Sequence, residues 1–123
     1  MQAVRERPAL FSTDLVTALR ADSTASAQTP SEVVGLDGDP FLNAQDPCDH
    51  YSSNGVAELG GHFLVQVVGA GGCAAHTTAD VTVEITPTNG RLVFTNFIYS
   101  SRDRDNLVAT LADLAATRRG KSK

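Results

Sequence analysis

The segment DVTVEITPTNGRLVFTNFIY, residues 80–99, decides the fold because it contains the strongest hairpin signal in the chain. Asn89-Gly90 favours a two-residue type I′ turn, in which both central residues have positive φ. On either side, residues 80–86 and 91–99 alternate apolar and polar side chains, which is the period of a β-strand. The segment therefore predicts two antiparallel strands joined by a tight turn.

An uninterrupted register from this turn divides the side chains of the second hairpin between two faces of the sheet. The more apolar face, which we expect to form the core, has Val81, Val83, Ile85, Leu92, Phe94 and Ile98. The other face is mixed and has Thr82, Glu84, Thr86, Val93, Thr95, Phe97 and Tyr99. We expect the mixed face to be partly solvated or to cover a partner.

Gly60-Gly61 predicts an earlier hairpin, with strands over residues 56–59 and 62–68. In its register a row of apolar side chains shares one face: Val56, Phe63, Val65 and Val67. The same register, extended without interruption, places Cys48 opposite Cys73, the two cysteines of the chain. We therefore predict a disulfide between them, and a disulfide is typical of a protein outside the reducing cytosol.

Two helices are expected to pack on one face of this four-stranded, mainly antiparallel sheet, which spans residues 55–99. The first covers residues 12–27, where Ser12 offers a cap and Leu15, Val16 and Leu19 follow at helical spacing. The second covers residues 103–119, with Ser101 or Asp103 as its cap and Gly120 just beyond its end. Its apolar stripe comprises Leu107, Val108, Leu111, Leu114 and Ala115.

The length of 123 residues suits one domain, residues 1–123, of the α+β class. Residues 1–11 are predicted to be an irregular lead-in and residues 35–50 a long loop. The net charge of −4 argues against a nucleic-acid partner. The basic residues of the C-terminus are expected to form a solvated tail: Arg118, Arg119, Lys121 and Lys123. No apolar run is long enough to cross a bilayer, and the chain as written starts without a leader.

The order of helix, long loop, meander and C-terminal helix resembles the nuclear-transport-factor-2-like (SnoaL-like, cystatin-like) fold. The loop sequence DPFLNAQD, residues 39–46, and the pattern NGRL … FIY … NL, between residues 89 and 107, are similar to a family of small bacterial exported proteins and lipoproteins. The resemblance implies a periplasmic or secreted protein. It also implies a leader and one more N-terminal helix, which this chain lacks, and it assigns no catalytic residue.

The acidic loop is the first place to look for chemistry, but Asp37, Asp39, Asp46 and Asp49 do not have the spacing of a calcium loop. Asp residues before prolines favour Asx-turns instead. A Cys₂His₂ zinc site from Cys48, His50, Cys73 and His76 is geometrically imaginable, yet its spacing matches no standard zinc module. We therefore predict no metal and no cofactor.

The sequence favours a non-catalytic domain that binds an unknown protein or small-molecule ligand through its sheet face or long loop. The ligand candidates in that loop are Asp39, Phe41, Asn43, Gln45 and Asp46. One alternative is a pocket enzyme of isomerase or hydratase type that uses an Asp–His acid–base pair, drawn from Asp46, Asp49, His50 and Tyr99. Another alternative is a domain whose core is completed by homodimerisation.

Overall fold

The computed structural model describes residues 2–28, 35–36, 40–41, 49–70 and 81–121. It is an α+β structure in which a four-stranded antiparallel meander is preceded along the chain by an N-terminal helix and followed by a C-terminal helix, as predicted. The strands are β1 (His50–Leu59), β2 (His62–Ala70), β3 (Val81–Thr88) and β4 (Arg91–Ile98). The helices are α1 (Gln2–Glu6), α2 (Thr13–Gln28) and α3 (Leu107–Lys121), with a 3₁₀ turn at Pro8–Leu10. None of the helices in these ranges is long and apolar enough to cross a membrane.

Both predicted turns have the backbone conformation that their glycines suggest. In the second turn φ is 52° at Asn89 and 78° at Gly90, and in the first it is 59° at Gly60 and 83° at Gly61. Positive φ at both central residues matches the right-handed twist of the flanking strands. The two hairpins therefore start in the predicted registers.

A β-bulge at Thr95 changes the predicted faces of the second hairpin. Ile85 pairs with Phe94, but the preceding residue of β3, Glu84, pairs with Asn96, so Thr95 is the extra residue of β4. One extra residue moves every later side chain to the opposite face. Phe97 accordingly lies opposite Val83 and is buried.

The prediction that Ile98 belongs to the core and Phe97 and Tyr99 to the mixed face is therefore wrong. Phe97 belongs to the hydrophobic core, Tyr99 packs against it, and Ile98 lies opposite Thr82 on the other side of the sheet. Val93 lies before the bulge and pairs with Thr86 on the predicted side, but it is buried.

A residue assigned to the core, Leu92, and a residue of the apolar row of the first hairpin, Val56, are exposed. Val56 in β1 is 66% exposed and Leu92 beside the second turn is 60% exposed. Alternation gives the face of a side chain but not whether another element covers that face. Val56 and Leu92 lie on β1 and beside the second turn, where the apolar cluster formed by the helices and strands does not reach.

The core joins both helices to the central strands and to the segment before α2. Its fully buried or nearly buried members are Val4, Phe11, Leu15, Val16, Leu19, Val81, Val83, Phe97, Leu107 and Leu111. Residues 1–11, predicted to be irregular, contain α1 and a 3₁₀ turn, and Val4 is only 1% exposed. Phe11 packs against Phe94, with their ring centroids 5.4 Å apart. The lead-in is thus part of the folded domain.

The caps of the two helices agree with the sequence at α2 and differ from it at α3. Ser12 Oγ accepts a hydrogen bond from the Leu15 amide, as a hydroxyl N-cap does. At α3, the side-chain oxygens of Asn96 and Asn106 accept from the first amides, instead of Ser101 or Asp103. The helix continues through Gly120 to Lys121, and Val108 of the predicted stripe is 47% exposed.

A buried ion pair connects α2 to the end of α3. Asp22 is 4% exposed, and its Oδ1 lies 3.1 Å from Nη1 of Arg118. The second oxygen of Asp22 accepts a hydrogen bond from the Leu36 amide at 2.9 Å. The prediction that Arg118 belongs to a solvated tail is therefore wrong, because its guanidinium is held between the helices.

Candidate binding surfaces

Most of the predicted ligand and disulfide residues lie outside the described residues: Asp39, Asn43, Gln45, Asp46, Cys48 and Cys73. Phe41 is described, and its ring packs 4.9 Å from Phe97 and 5.5 Å from Phe11, measured between centroids. Next to it, the carbonyl oxygen of Pro40 accepts a hydrogen bond from the Tyr99 hydroxyl at 2.8 Å. Phe41 is therefore a packing residue that holds this part of the loop on the core.

The described members of the predicted acid–base group do not form one cluster. Asp49 and His50 are exposed at the start of β1, whereas Tyr99 follows the end of β4. Because β1 and β4 are the two edges of the sheet, three strand spacings, or about 14 Å, separate their backbones. This arrangement gives no support to an Asp49–His50–Tyr99 site.

The first hairpin also contains a bulge, and it alters the argument for the disulfide. Val56 pairs with Val65 as predicted, but beyond the bulge Ser53 pairs with Val67 and His50 with Ala70. Each of these later partners is shifted by one residue from the uninterrupted register. The register that placed Cys48 directly opposite Cys73 is therefore wrong, while a bridge between them at this end of the hairpin stays a prediction.

The two edges of the sheet differ in how they are covered. Along β4, Phe11 bridges to Phe94, and the amide of Ser12 donates to the Phe94 carbonyl at 2.9 Å. Farther along the same edge, Asn106 bridges to Ile98. Within the part of the chain that the structure describes, no strand pairs with the outer edge of β1. The edge at β1 is therefore the one that offers backbone groups to a partner.

Exposure confirms that β1 lies at the surface. Residues 52–59 are exposed without interruption, and Leu59 is 68% exposed in addition to Val56. The strand is ten residues long, which is long for an edge that proteins usually shorten or blunt. Its apolar residues lie in the four positions between the bulge and the first turn.

A groove of about 530 Å³ crosses the sheet face opposite the core, next to β1. Its lining runs from β1 to the segment after β4 and comprises Gly55, Val56, Ala57, Leu64, Gln66, Thr82, Ile98, Tyr99, Ser100 and Ser101. Gln66 pairs with Thr82, and Thr82 pairs with Ile98, so these three side chains form its floor. Leu64 and Ile98 make the surface partly apolar. The groove and the open edge are adjacent because residues 55–57 belong to both.

Four polar side chains form a continuous hydrogen-bonded chain across β2, β3 and β4. His62 Nδ1 lies 2.7 Å from Thr86 Oγ1, which lies 2.9 Å from Thr95 Oγ1, and the Thr95 hydroxyl donates to Glu84 Oε1 at 2.7 Å. Because a carboxylate only accepts, the hydroxyls donate in one direction and His62 Nδ1 is the donor. This arrangement leaves Nε2 of a neutral His62 as the acceptor nitrogen.

The sequence predicts only part of this hydrogen-bonded series of side chains. The alternation in residues 80–99 correctly put Glu84, Thr86 and Thr95 on the same face. His62 joins them because Phe63 pairs with Ile85, which brings the two hairpins into register with each other. No tight turn joins β2 to β3, so the sequence does not predict the register between the two hairpins. Among the described residues, no three His, Cys, Asp or Glu side chains gather as a metal site would require.

Comparison of the chain with protein-family models, with curated proteins and with solved structures found no match.

Proposed function

We propose that this protein is a non-catalytic binding domain that holds an extended segment of a partner protein at the β1 edge of its sheet. The single observation that supports the proposal is the difference between the two edges. The β4 edge is covered by Phe11 and Asn106, whereas residues 52–59 of β1 are exposed. Addition of a strand to such an edge is a common mode of peptide recognition.

The adjacent groove provides the means of selecting a partner. In strand addition the backbone hydrogen bonds supply sequence-independent affinity, and side chains that fall into pockets supply specificity. A segment paired with β1 places every second side chain on the groove side of the sheet. The floor formed by Gln66, Thr82 and Ile98 would then favour a side chain with both apolar and hydrogen-bonding groups.

A library of random twelve-residue peptides displayed on phage tests this proposal, because such a library samples partner segments of every composition. Val56→Lys combined with Leu59→Lys places two charges on the open edge at positions that are already exposed, so the fold should persist. Leu92→Lys is the matched control, because Leu92 is 60% exposed but lies on the other hairpin.

We expect peptides selected on the natural protein to lose at least about tenfold in affinity for the β1 double variant, from lost backbone pairing and apolar contact. They should bind the Leu92→Lys variant as well as the natural protein. Failure to select any binder, or equal loss with both variants, would contradict the proposal. If the natural protein sediments as a dimer and the β1 double variant as a monomer, the partner of the β1 edge is a second copy of this protein and not a peptide.

We also propose that the fold is of the nuclear-transport-factor-2-like, cystatin-like kind and that the protein is exported. The order of α2, meander and α3 supports the first proposal, and the two cysteines predicted at one end of the first hairpin support the second. An experimental structure that placed α2 and α3 on opposite faces of the sheet would contradict the fold assignment. Detection of the protein in the periplasm or culture medium tests export.

The hydrogen-bonded chain that ends at His62 favours one second candidate, an isomerase or hydratase. Glu84, through Thr95 and Thr86, would hold His62 with Nδ1 as donor and Nε2 as the base that removes a proton. A screen of isomerisation and hydration substrates with the natural protein and with His62→Gln tests it. Turnover that disappears in His62→Gln would support the enzyme; turnover that persists in the variant would contradict it.

A further inference from the structure

A second groove lies between α2, α3 and the bulged part of β4. It encloses about 540 Å³, within the range of small-molecule sites. Its lining comprises Ser12, Asp14, Leu15, Ala18, Glu84, Thr95, Asn96, Val108, Leu111, Ala112 and Ala115. None of these residues belongs to β1 or to its adjacent groove.

The space exists because the facing helix positions carry small side chains. Ala18 of α2 and Ala112 and Ala115 of α3 line the groove where larger side chains would fill the space between the helices. Leu15 and Leu111 form its apolar floor and are themselves buried. Val108 is 47% exposed here although it belongs to the apolar stripe of α3. An apolar ligand would cover Val108 and fill the gap.

The charge of the lining is negative. Asp14 and Glu84 are its ionisable residues, and no Lys or Arg is among the described residues that line it. Two arginines near the ends of α3 are engaged elsewhere: Arg104 with Asp113 and Arg118 with Asp22. The Asp113 carboxylate also raises the pKa of Arg104, first through its hydrogen bond and then through its charge. The groove is therefore complementary to a cation.

The amide groups at the two helix N-termini do not reverse this preference. Free N–H groups at a helix start attract anions, but here side chains already accept from three of them. Ser12 Oγ accepts from Leu15, and Asn96 and Asn106 accept from the first amides of α3. Glu84 accepts from Thr95 through Oε1, and a carboxylate has capacity for further donors.

We propose that this groove is a binding site for a small molecule that combines an apolar body with a protonated amine. The apolar body would lie on Leu15, Val108 and Leu111 between the two helices. The ammonium group would donate to the carboxylate of Glu84, and Asp14 would add to the attraction. This site is independent of the peptide edge, so the two proposals can fail separately.

Three probes with the same phenylethyl body test the proposal: 2-phenylethylammonium, 2-phenylethanol and 3-phenylpropanoate. Titrations followed by amide chemical shifts at pH 7 report both affinity and position. We expect saturable shifts from the ammonium probe at Val108, Ala112, Leu15 and Thr95. The alcohol should bind at least about tenfold more weakly, because it lacks the charge-assisted hydrogen bond. The carboxylate probe should bind more weakly still.

Two pairs of variants separate a specific site from general attraction to an acidic protein. Glu84→Gln removes the charge but keeps an acceptor for Thr95, and we expect at least about a tenfold loss of affinity for the ammonium probe. Glu58→Gln removes the same charge from exposed β1 and should change little. Ala112→Leu should block the groove, whereas Ala116→Leu, on an exposed part of the same helix outside the lining, should not.

Thermal melts of each variant confirm that it is folded before affinity is compared. Equal binding of the ammonium and carboxylate probes would overturn the proposal, as would unchanged affinity in both Glu84→Gln and Ala112→Leu. Absence of saturable shifts in the groove at probe concentrations up to about 10 mM would also overturn it, because small fragments that occupy a specific site bind with millimolar dissociation constants.

Discussion

Replacement of Asp22 by Ala should be among the most destabilising single changes outside the apolar core. The Asp22 side chain is 5% exposed and makes two defined interactions, with Arg118 Nη1 at 3.1 Å and with the Leu36 amide at 2.9 Å. The side chain of its partner, Arg118, is only 19% exposed. The substitution thus removes a carboxylate while leaving a largely buried cation and a backbone donor at the same place.

The expected loss follows from these burials. Removal of one partner from a buried ion pair costs about 3–5 kcal/mol, because the remaining charge stays desolvated. A domain of this size has about 5–15 kcal/mol of total stability. The melting temperature should therefore fall by about 10–20 °C, at a few degrees per kcal/mol. Far-UV circular dichroism in urea measures the change, and it suits a chain without tryptophan.

Asp113→Ala is the matched control because it removes another Asp–Arg pair from α3. Asp113 and its partner Arg104 have side chains that are 63% and 55% exposed, and exposed pairs contribute about 1 kcal/mol or less. A cost below about 1 kcal/mol for Asp22→Ala, equal to the control, would refute the argument that burial makes this pair structural. Arg118→Met should then cost less in the Asp22→Ala background than in the natural protein, since the two residues act together.

Four further predictions test other parts of the structure. Gly90→Val should destabilise by about 1 kcal/mol or more in denaturant melts, because a β-branched residue disfavours φ of 78°; a neutral result contradicts the turn. Leu111→Ala, at a position 3% exposed, should cost about 2–5 kcal/mol by the same melts. Gly35→Ala should cost about 1–3 kcal/mol, because the added Cβ would clash with Ser26 Oγ and would lie 2.8 Å from the Asp22 carboxylate. Mass spectrometry of the unreduced, alkylated protein should find Cys48 and Cys73 bridged; two alkylated thiols would refute the disulfide.

The local parts of this fold were predictable because short segments determine them. Asn89-Gly90 and Gly60-Gly61 specify their turns through positive φ, which few other residues adopt without strain. Ser12 specifies the start of α2 because its hydroxyl satisfies an amide that the helix leaves open. In each case the structural feature involves residues that are no more than three positions apart in the sequence.

The positions of the two bulges were not predicted, and the bulge at Thr95 accounts for the wrong face assignments of Phe97, Ile98 and Tyr99. Gly55 has φ of 128° in the first bulge, and a glycine within a strand pattern does indicate a bulge. Thr95 offers no comparable indication, since threonine also suits a regular strand. The bulge there places Phe97, two residues farther on, opposite Val83 and in the core.

Interactions across long separations were also beyond prediction. Asp22 and Arg118 are 96 positions apart, and each alone is typical of a solvated helix surface. His62 reaches Thr86 only because two hairpins with separate turns align with one another. The groove between α2 and α3 depends in the same way on where two distant helices meet. The candidate sites of this protein are thus all products of tertiary arrangement.

The bulge in β1 also constrains how a partner would bind. It divides the strand into residues 50–53 and 56–59, and the two parts pair with β2 in registers that differ by one residue. A straight incoming strand follows one register at a time. Residues 56–59 contain the exposed Val56 and Leu59 and end at a tight turn, whereas residues 50–53 carry no aliphatic side chain. The aliphatic contribution to partner binding would therefore come from the part between the bulge and the turn, which is also the part that adjoins the groove.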